Sequence, residues 1–363
     1  MSWAWRIATI AGIPINIHGT FAVLIIFLLV SGLAAGRGIA SAVSSVLFIL
    51  AIFVTIILHE LGHALTARRF GIKTRDITLL PIGGLARLER MPDVPRQELW
   101  VALAGPAVNV VIAVGCYVLL LVATGIAPVL TLDPSAAGFL GRFTAVNFAL
   151  AIFNMVPAFP MDGGRALRAV LAERLDYTRA TEIAASIGQG LALVFGLVGL
   201  FANPILVFIA LFVWMGASSE ATAAGMRAAL TGIPVSRAMV TDYRTVPAGS
   251  RLRQAVELVL MGDQRDFPVV DYAGEIVGIL TRDQLMSALS QQGPAGMVDE
   301  AMTTAFETVD AREMLDGAYL RLQQSSSPVL PVMDEGRVVG LLTAENVAEY
   351  VMIRGALAPG RRG

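Results

Sequence analysis

Apolar residues in this chain gather in long runs that short polar stretches separate. A run of roughly 20 apolar residues matches the hydrocarbon thickness of a bilayer. The pattern predicts six transmembrane helices, near 18–35, 41–66, 99–124, 139–159, 183–201 and 204–223. From about residue 233 these runs stop, and mixed apolar and polar positions predict an α/β tail.

The composition of the chain excludes an ordinary soluble protein. Of its 363 residues, 56% are hydrophobic and only 15% are charged, with a mean hydropathy of +0.70. A net charge of −1 gives no sign of nucleic-acid binding. Residues 1–17 lack the apolar core of a cleavable signal, so we expect the first span to stay in the mature protein.

The placement of Arg and Lys predicts the orientation in the membrane. The connection 68–98 contains six Arg and one Lys, whereas 125–138 contains neither residue. We therefore expect the first connection in the cytoplasm and the second outside. With six spans, this predicts a multi-pass cell-membrane protein whose N- and C-termini are both cytoplasmic.

A metal-binding motif, His59-Glu60-Leu61-Gly62-His63, lies inside the second apolar run. On a helix, His59 and His63 share one face, so both can bind one Zn²⁺ while Glu60 acts on a water molecule as general base. The motif uses two of the three histidines of the chain. An ionised carboxylate near the bilayer centre costs about 2.5–3.5 kcal/mol, which favours a functional site over a chance pattern.

Asp162 is the best candidate for a third zinc ligand. It ends the fourth apolar run, where Pro157 and Pro160 break the helix and Gly163 follows. A simple span-ending turn would also explain the proline and the glycine, but not the polar Asn154 earlier in the segment. We favour the ligand, and we expect His18 to be an interfacial residue.

Two further features lie near the metal motif in the sequence. The side chain of Asn109, in the third run, can form a hydrogen bond either with a substrate backbone or with a neighbouring helix. The two alternatives are about equally supported. Residues 76–90, interrupted by Pro81 and Gly83-Gly84, predict a hairpin. This hairpin either dips into the membrane or lies on its surface.

These motifs together resemble the site-2 protease family of intramembrane zinc metalloproteases, in the prokaryotic branch with CBS domains. The resemblance covers about residues 6–224. It rests on His59-Glu60-x-x-His63, Gly105-Pro106-x-x-Asn109 and Asn154-x-x-Pro157 before Asp162-Gly163. It implies one zinc ion bound by His59, His63 and Asp162, with Glu60 as general base. It also implies a substrate-binding region formed by Asn109, Asn154, Gly83 and Gly84.

The tail contains an internal repeat. Ala238-Met239 recurs as Ala301-Met302, and Val277–Thr281 recurs as Val339–Thr343. The repeat resembles a CBS domain pair, which implies an adenine nucleotide near Thr281 and Thr343. Gln284 and Asn346 occupy the positions of the family's ribose-binding acid, so a structural or dimerising role is equally supported.

The predicted fold class is an α-helical polytopic membrane domain followed by an α/β CBS pair. The expected boundaries are 1–224 for the protease domain, 225–234 for a linker, and 235–292 and 297–354 for the repeats. The predicted function is cleavage of a transmembrane segment by zinc-activated water, with the tail serving regulation or homodimerisation. Expected partners are membrane lipid and a membrane-anchored signalling protein such as an anti-sigma or pro-sigma factor, without nucleic acid. The alternatives are a CBS-regulated membrane transporter and a non-catalytic scaffold with a vestigial metal site.

Overall fold

The computed structural model describes residues 3–36, 38–81, 83–92, 94–126, 138–325 and 327–357. The chain divides into two compact units, Met1–Ala224 and Gly225–Gly363. Most of the connection predicted to lie outside the membrane, 125–138, falls outside the described residues.

The first unit is built from apolar helices. Within the described residues, four helices are long and apolar enough to cross a membrane, and two apolar helices of 16 residues are shorter. The long ones are α2 (Gly38–Arg69), α3 (Pro95–Thr124), α6 (Tyr177–Phe201) and α7 (Pro204–Leu230). The shorter ones are α1 (Gly19–Ala34) and α4 (Phe139–Asn154), and a short helix, α5 (Asp162–Ala172), follows α4. The predicted class of a helical membrane domain is confirmed.

A small sheet packs against α2. Its strands, in the order β1-β2-β3-β4, are β1 (Ala4–Ile10), β2 (Ile13–His18), β3 (Thr74–Leu80) and β4 (Gly83–Leu88). Strands β2 and β3 are parallel, and the other neighbours are antiparallel. Ile13, Ile15 and Ile77 pack on Leu61 and Ala64 of α2, so the sheet covers the helix at the level of the metal motif. The hairpin predicted within 76–90 is β3–β4, whereas the N-terminal hairpin β1–β2 was not predicted.

The second unit consists of two similar halves. The first half contains β5 (Val246–Pro247), α8 (Leu252–Leu260), β6 (Phe267–Val270), β7 (Ile276–Leu280) and α9 (Arg282–Gln292). A short helix, α10 (Val298–Ala301), precedes β8 (Val309–Asp310), α11 (Leu315–Gln324), β9 (Val329–Asp334), β10 (Arg337–Thr343) and α12 (Ala344–Leu357). In each half the first strand is parallel to the second, which is antiparallel to the third. The predicted duplication is therefore present in the fold.

The two halves of the second unit pack on each other. Ile279, Val329 and Leu341 form a buried cluster drawn from both halves. Val240 of the first half forms an isolated bridge with Leu341, and Thr303 forms one with Ile279. The repeats thus share one core region and form a single module.

Candidate metal centre

Three potential metal ligands converge between α2 and α5. His59 and His63 lie on a buried face of α2, and their Nε2 atoms are 3.1 Å apart. Asp162 is the first residue of α5, and its Oδ2 lies 3.2 Å from each Nε2. Two helices that are distant in the chain therefore bring three ligand atoms to one point.

The other ring nitrogens fix the orientation of both imidazoles. His63 Nδ1 lies 2.6 Å from the carbonyl oxygen of Val101, which can only accept a hydrogen bond. His59 Nδ1 lies 2.6 Å from Asn109 Oδ1, and the Asn109 amide donates through Nδ2 to Asn147 at 3.3 Å. Because both Nδ1 atoms donate, both neutral rings direct an Nε2 lone pair towards Asp162.

This arrangement fits a zinc ion. Without a cation, two nitrogen lone pairs and a carboxylate at 3.1–3.2 Å would repel one another. Ligand atoms about 2.0–2.1 Å from a tetrahedral zinc are about 3.3 Å apart, and two histidines with one carboxylate are a common catalytic set. The residues present therefore match the ion that the motif predicts.

Gly105 of α3 leaves room for the ligands. A Cβ at this position would lie 2.2 Å from His63 Nε2 and 2.6 Å from His59 Nε2. No side chain fits there without displacing a ring. The predicted Gly105-Pro106-x-x-Asn109 motif thus gives α3 a glycine that permits close approach and an amide that orients His59.

Asp162 is held by a tight turn before α5. A Cβ at Gly163 would lie 2.4 Å from the carbonyl oxygen of Val156, and one at Gly164 would lie 2.6 Å from the Ala158 carbonyl carbon. The two glycines therefore let α5 begin directly against the segment that leaves α4. Asn154, the last residue of α4, is half-buried at the start of this segment.

The strand β4 passes beside Glu60. A Cβ at Gly84 would lie 2.8 Å from Glu60 Cγ and 2.9 Å from Ile56 Cγ2, so the backbone of β4 runs directly over this part of α2. Gly83 adopts a φ of 143°, a conformation that favours glycine. The glycines at the start of β4 therefore lie next to the predicted general base.

Sequence reasoning missed two groups at this centre. The Val101 carbonyl has no side-chain signal, because any residue at that position would present the same oxygen. Asn147 carried a signal, since a buried amide inside an apolar run requires a hydrogen-bond partner.

Comparison with known proteins gives the family. Residues 47–197 match the model of peptidase family M50, and residues 235–291 and 298–353 match the CBS domain. A zinc metalloprotease of Methanocaldococcus jannaschii is 32% identical over 356 residues, which cover 97% of this chain and 97% of the relative. The chain belongs to peptidase family M50. This M50 protein is a site-2 protease-type zinc metalloprotease with CBS domains, which confirms the predicted enzyme class and decides against the transporter.

Two solved structures are similar to parts of this M50 protein. The site-2 protease from Methanocaldococcus jannaschii is 37% identical, covers 60% of this chain and 95% of that chain, and has a TM-score of 0.44. A CBS-pair protein from Arabidopsis thaliana is 23% identical, covers 35% of this chain and 100% of that chain, and has a TM-score of 0.33.

The CBS unit contains a separate cleft of about 1280 Å³ that is lined by both repeats. Thr281 and Thr343, the predicted nucleotide-binding residues, lie in it, next to the starts of α9 and α12. The Thr281 hydroxyl accepts a hydrogen bond from the backbone of Gln284, whose side chain bonds back to the Thr281 N–H at 2.9 Å. The backbone N–H of Asn346 donates to the Thr343 hydroxyl at 3.2 Å, and this hydroxyl donates to the side-chain oxygen of Asn346. The amide of Gln284 thus completes a capping box at the start of α9, whereas, within the described residues, the amide of Asn346 contacts only the Thr343 hydroxyl.

Proposed function

We propose that this M50 protein hydrolyses peptide bonds in transmembrane segments of other proteins, with one zinc ion held by His59, His63 and Asp162. The observation that carries the proposal is the triangle of ligand atoms, 3.1–3.2 Å on a side, with two of its three corners on α2, a helix long enough to cross a membrane. A buried site of this kind is suited to a substrate that is itself embedded in lipid.

Zinc, when bound, polarises a carbonyl and lowers the pKa of a water molecule to about 7. Glu60 then accepts the proton of the attacking water and passes it to the leaving amine. The role we propose for Asn154, half-buried at the end of α4, is to stabilise the developing oxyanion through its amide. Asn109 orients His59 and, through this ring, the ligand set.

The edge of β4 is the proposed binding place for the substrate. In the described sheet β4 is the last strand, so its outer edge can pair with an added strand. A transmembrane helix hides its amides in internal hydrogen bonds and must unwind before it is cut. An unwound segment paired beside Gly83 and Gly84 lies next to Glu60.

The experiment compares the purified parent with Glu60→Gln on a membrane-spanning reporter. We expect the parent to carry about one zinc per chain and to cut the reporter, and Glu60→Gln to keep its zinc but cut at least about 100-fold more slowly. Asp162→Ala should lose the zinc. Equal cutting by Glu60→Gln would refute the mechanism, and unchanged zinc content in Asp162→Ala would refute the ligand.

We further propose that both termini face the cytoplasm. The basic connection 68–98 supports this orientation. A single cysteine at Tyr272, which is fully exposed, should be labelled only in inverted vesicles, and one at the exposed Ile126 only in right-side-out vesicles. Both variants carry Cys116→Ala to remove the native thiol. The reverse labelling pattern would overturn the orientation.

The proposed substrate is a membrane-anchored signalling protein, such as an anti-sigma or pro-sigma factor, as the family resemblance implies. Proteomics of membrane fragments from cells with the parent or with Glu60→Gln identifies it. Fragments that appear only with the parent, and that end inside an apolar segment, are expected. A set of fragments that end only in soluble loops would contradict an intramembrane substrate.

For the cleft of the CBS unit we propose an adenine nucleotide. Arg244 and Arg282 line the cleft beside Thr281 and Thr343 and suit a phosphate group. Titration of the full-length protein with AMP and with ATP tests this, with Arg282→Gln expected to weaken binding. If neither nucleotide binds, and substitutions in α12 convert a homodimer of the full-length protein into monomers, the tail serves homodimerisation instead.

A further inference from the structure

Arg168 of α5 is buried at the centre of an ionic cluster. Its side chain is 2% exposed, and its Nε and Nη2 donate to Glu98 Oε1 at 2.8 and 2.5 Å. Its Nη1 donates to Glu220 of α7 at 2.9 Å. The guanidinium also lies 5.0 Å from the ring centroid of Phe159 and 4.9 Å from that of Tyr177. Burial of this charge is tolerated because it is fully paired.

Glu98 begins the face of α3 that supports the metal ligands. Glu98, Val101, Gly105 and Asn109 are spaced by about one helical turn and so share one face. The Val101 carbonyl and the Asn109 amide each hold one imidazole, and Gly105 packs on both rings. A shift of α3 along its axis would therefore move both imidazoles together.

The third ligand belongs to another helix. Asp162 is the first residue of α5, which also carries Arg168. The buried pair of Glu98 and Arg168 thus joins the helix that orients the imidazoles to the helix that carries the carboxylate. Arg96 and Glu173 form a second link between the same regions, but they are 82% and 43% exposed, and exposed pairs contribute little.

We infer that Glu98 and Arg168 form a positioning pair that keeps α3 and α5 in register, so that Asp162 faces the two imidazoles at bonding distance from a shared zinc ion. The inference rests on the proposed function, because it concerns the same ligands. The pair acts through the two helices, without touching the ligands. Groups that orient metal ligands from outside typically change metal affinity by about 10- to 100-fold.

The test measures zinc affinity in the full-length protein in detergent, by competition with a chelating dye, together with the Tm of the zinc-free protein. Glu98→Gln should raise the Kd for zinc by about 10-fold or more. Arg168→Lys should also raise it, because an ammonium group lacks the planar fork of arginine. The matched control is Glu173→Gln, which removes an exposed carboxylate between the same helices and should leave the Kd unchanged.

Glu220→Gln separates positioning from simple stability. This substitution removes the second carboxylate that pairs with Arg168. Because Glu220 lies on α7, which carries no metal ligand, the substitution should lower Tm while leaving the Kd for zinc unchanged. If Glu98→Gln lowers Tm and also leaves the Kd unchanged, the pair is only structural and the inference is overturned. Glu98→Asp, which keeps the charge on a shorter arm, gives the same decision if Glu98→Gln does not fold. A parent that binds no zinc would instead refute the proposed function.

Discussion

Asn109 Oδ1 lies 2.6 Å from His59 Nδ1, and Asn109 Nδ2 donates to Asn147 at 3.3 Å. Both ends of this amide are therefore used to orient a metal ligand. The family resemblance implies a place for Asn109 near the substrate, and that role stays a prediction. The contacts of the described residues support the role of an outer partner of the metal site.

Replacing Asn109 should weaken zinc binding. We expect Asn109→Ala to lower zinc affinity by about 10- to 100-fold, because His59 loses the acceptor that fixes its tautomer. Asn109→Asp keeps an acceptor oxygen at the same place and should retain most of the affinity. Chelator competition on the purified proteins gives the values. Equal affinities for the alanine variant and the parent would show that the hydrogen bond to His59 is dispensable.

Gly105 should not tolerate even a methyl group. We expect Gly105→Ala to abolish zinc binding and reporter cleavage, because its Cβ would lie 2.2 Å from His63 Nε2. Gly115→Ala is the matched control, since it lies in the same helix and its Cβ meets open space. Helix propensity favours alanine there by about 1 kcal/mol, so this variant should bind zinc and be at least as stable as the parent. Zinc content and Tm of the two variants decide the matter.

The sequence predicted that His59, His63 and Asp162 would meet, because their chemistry is concentrated in side chains. His59, Glu60 and His63 fall on one helix, and the polar Asn154 distinguishes the segment before Asp162 from a simple span-ending turn. The length of the apolar runs predicted the membrane helices, and the repeated Val-Gly-x-Leu-Thr segments predicted the duplicated tail. Each of these signals is local in the chain.

Features that depend on distant contacts could not be predicted in this way. Strand β2 precedes α1 in the chain and β3 follows α2, yet the two strands pair in parallel. No local sequence pattern specifies this pairing. The Val101 carbonyl acts through backbone position alone. Arg168 is buried between Glu98 and Glu220, two partners that are distant from it in the chain.

The contact between β4 and Glu60 should affect turnover and spare zinc binding. We expect Gly84→Ala to displace either the strand or Glu60, since its Cβ would lie 2.8 Å from Glu60 Cγ. A displacement of about 1 Å near the reacting groups can slow catalysis by up to about 100-fold. Gly190→Ala, at an open position in α6, serves as the control. Loss of zinc in Gly84→Ala would contradict this prediction, because it would show that β4 positions the metal ligands and not only Glu60.

The carboxyl group of Asp266 should make the CBS unit sensitive to pH. Burial raises the pKa of this group, although it accepts a hydrogen bond from the Arg282 N–H at 3.2 Å. A raised pKa in the folded state means that ionisation opposes folding. The penalty is fully present above the raised pKa, and it is relieved as the pH falls through that value towards the unfolded pKa.

Asp266→Asn should therefore stabilise the CBS unit at pH 7, because the amide oxygen can still accept from Arg282 but carries no charge. The gain should shrink as the pH is lowered into the acidic range, where the parent carboxyl group becomes protonated. Amide hydrogen exchange of β6 and β7 in the full-length protein measures it, with parent and variant compared at each pH. A gain of the same size at neutral and acidic pH would mean that ionisation of Asp266 is not its cause.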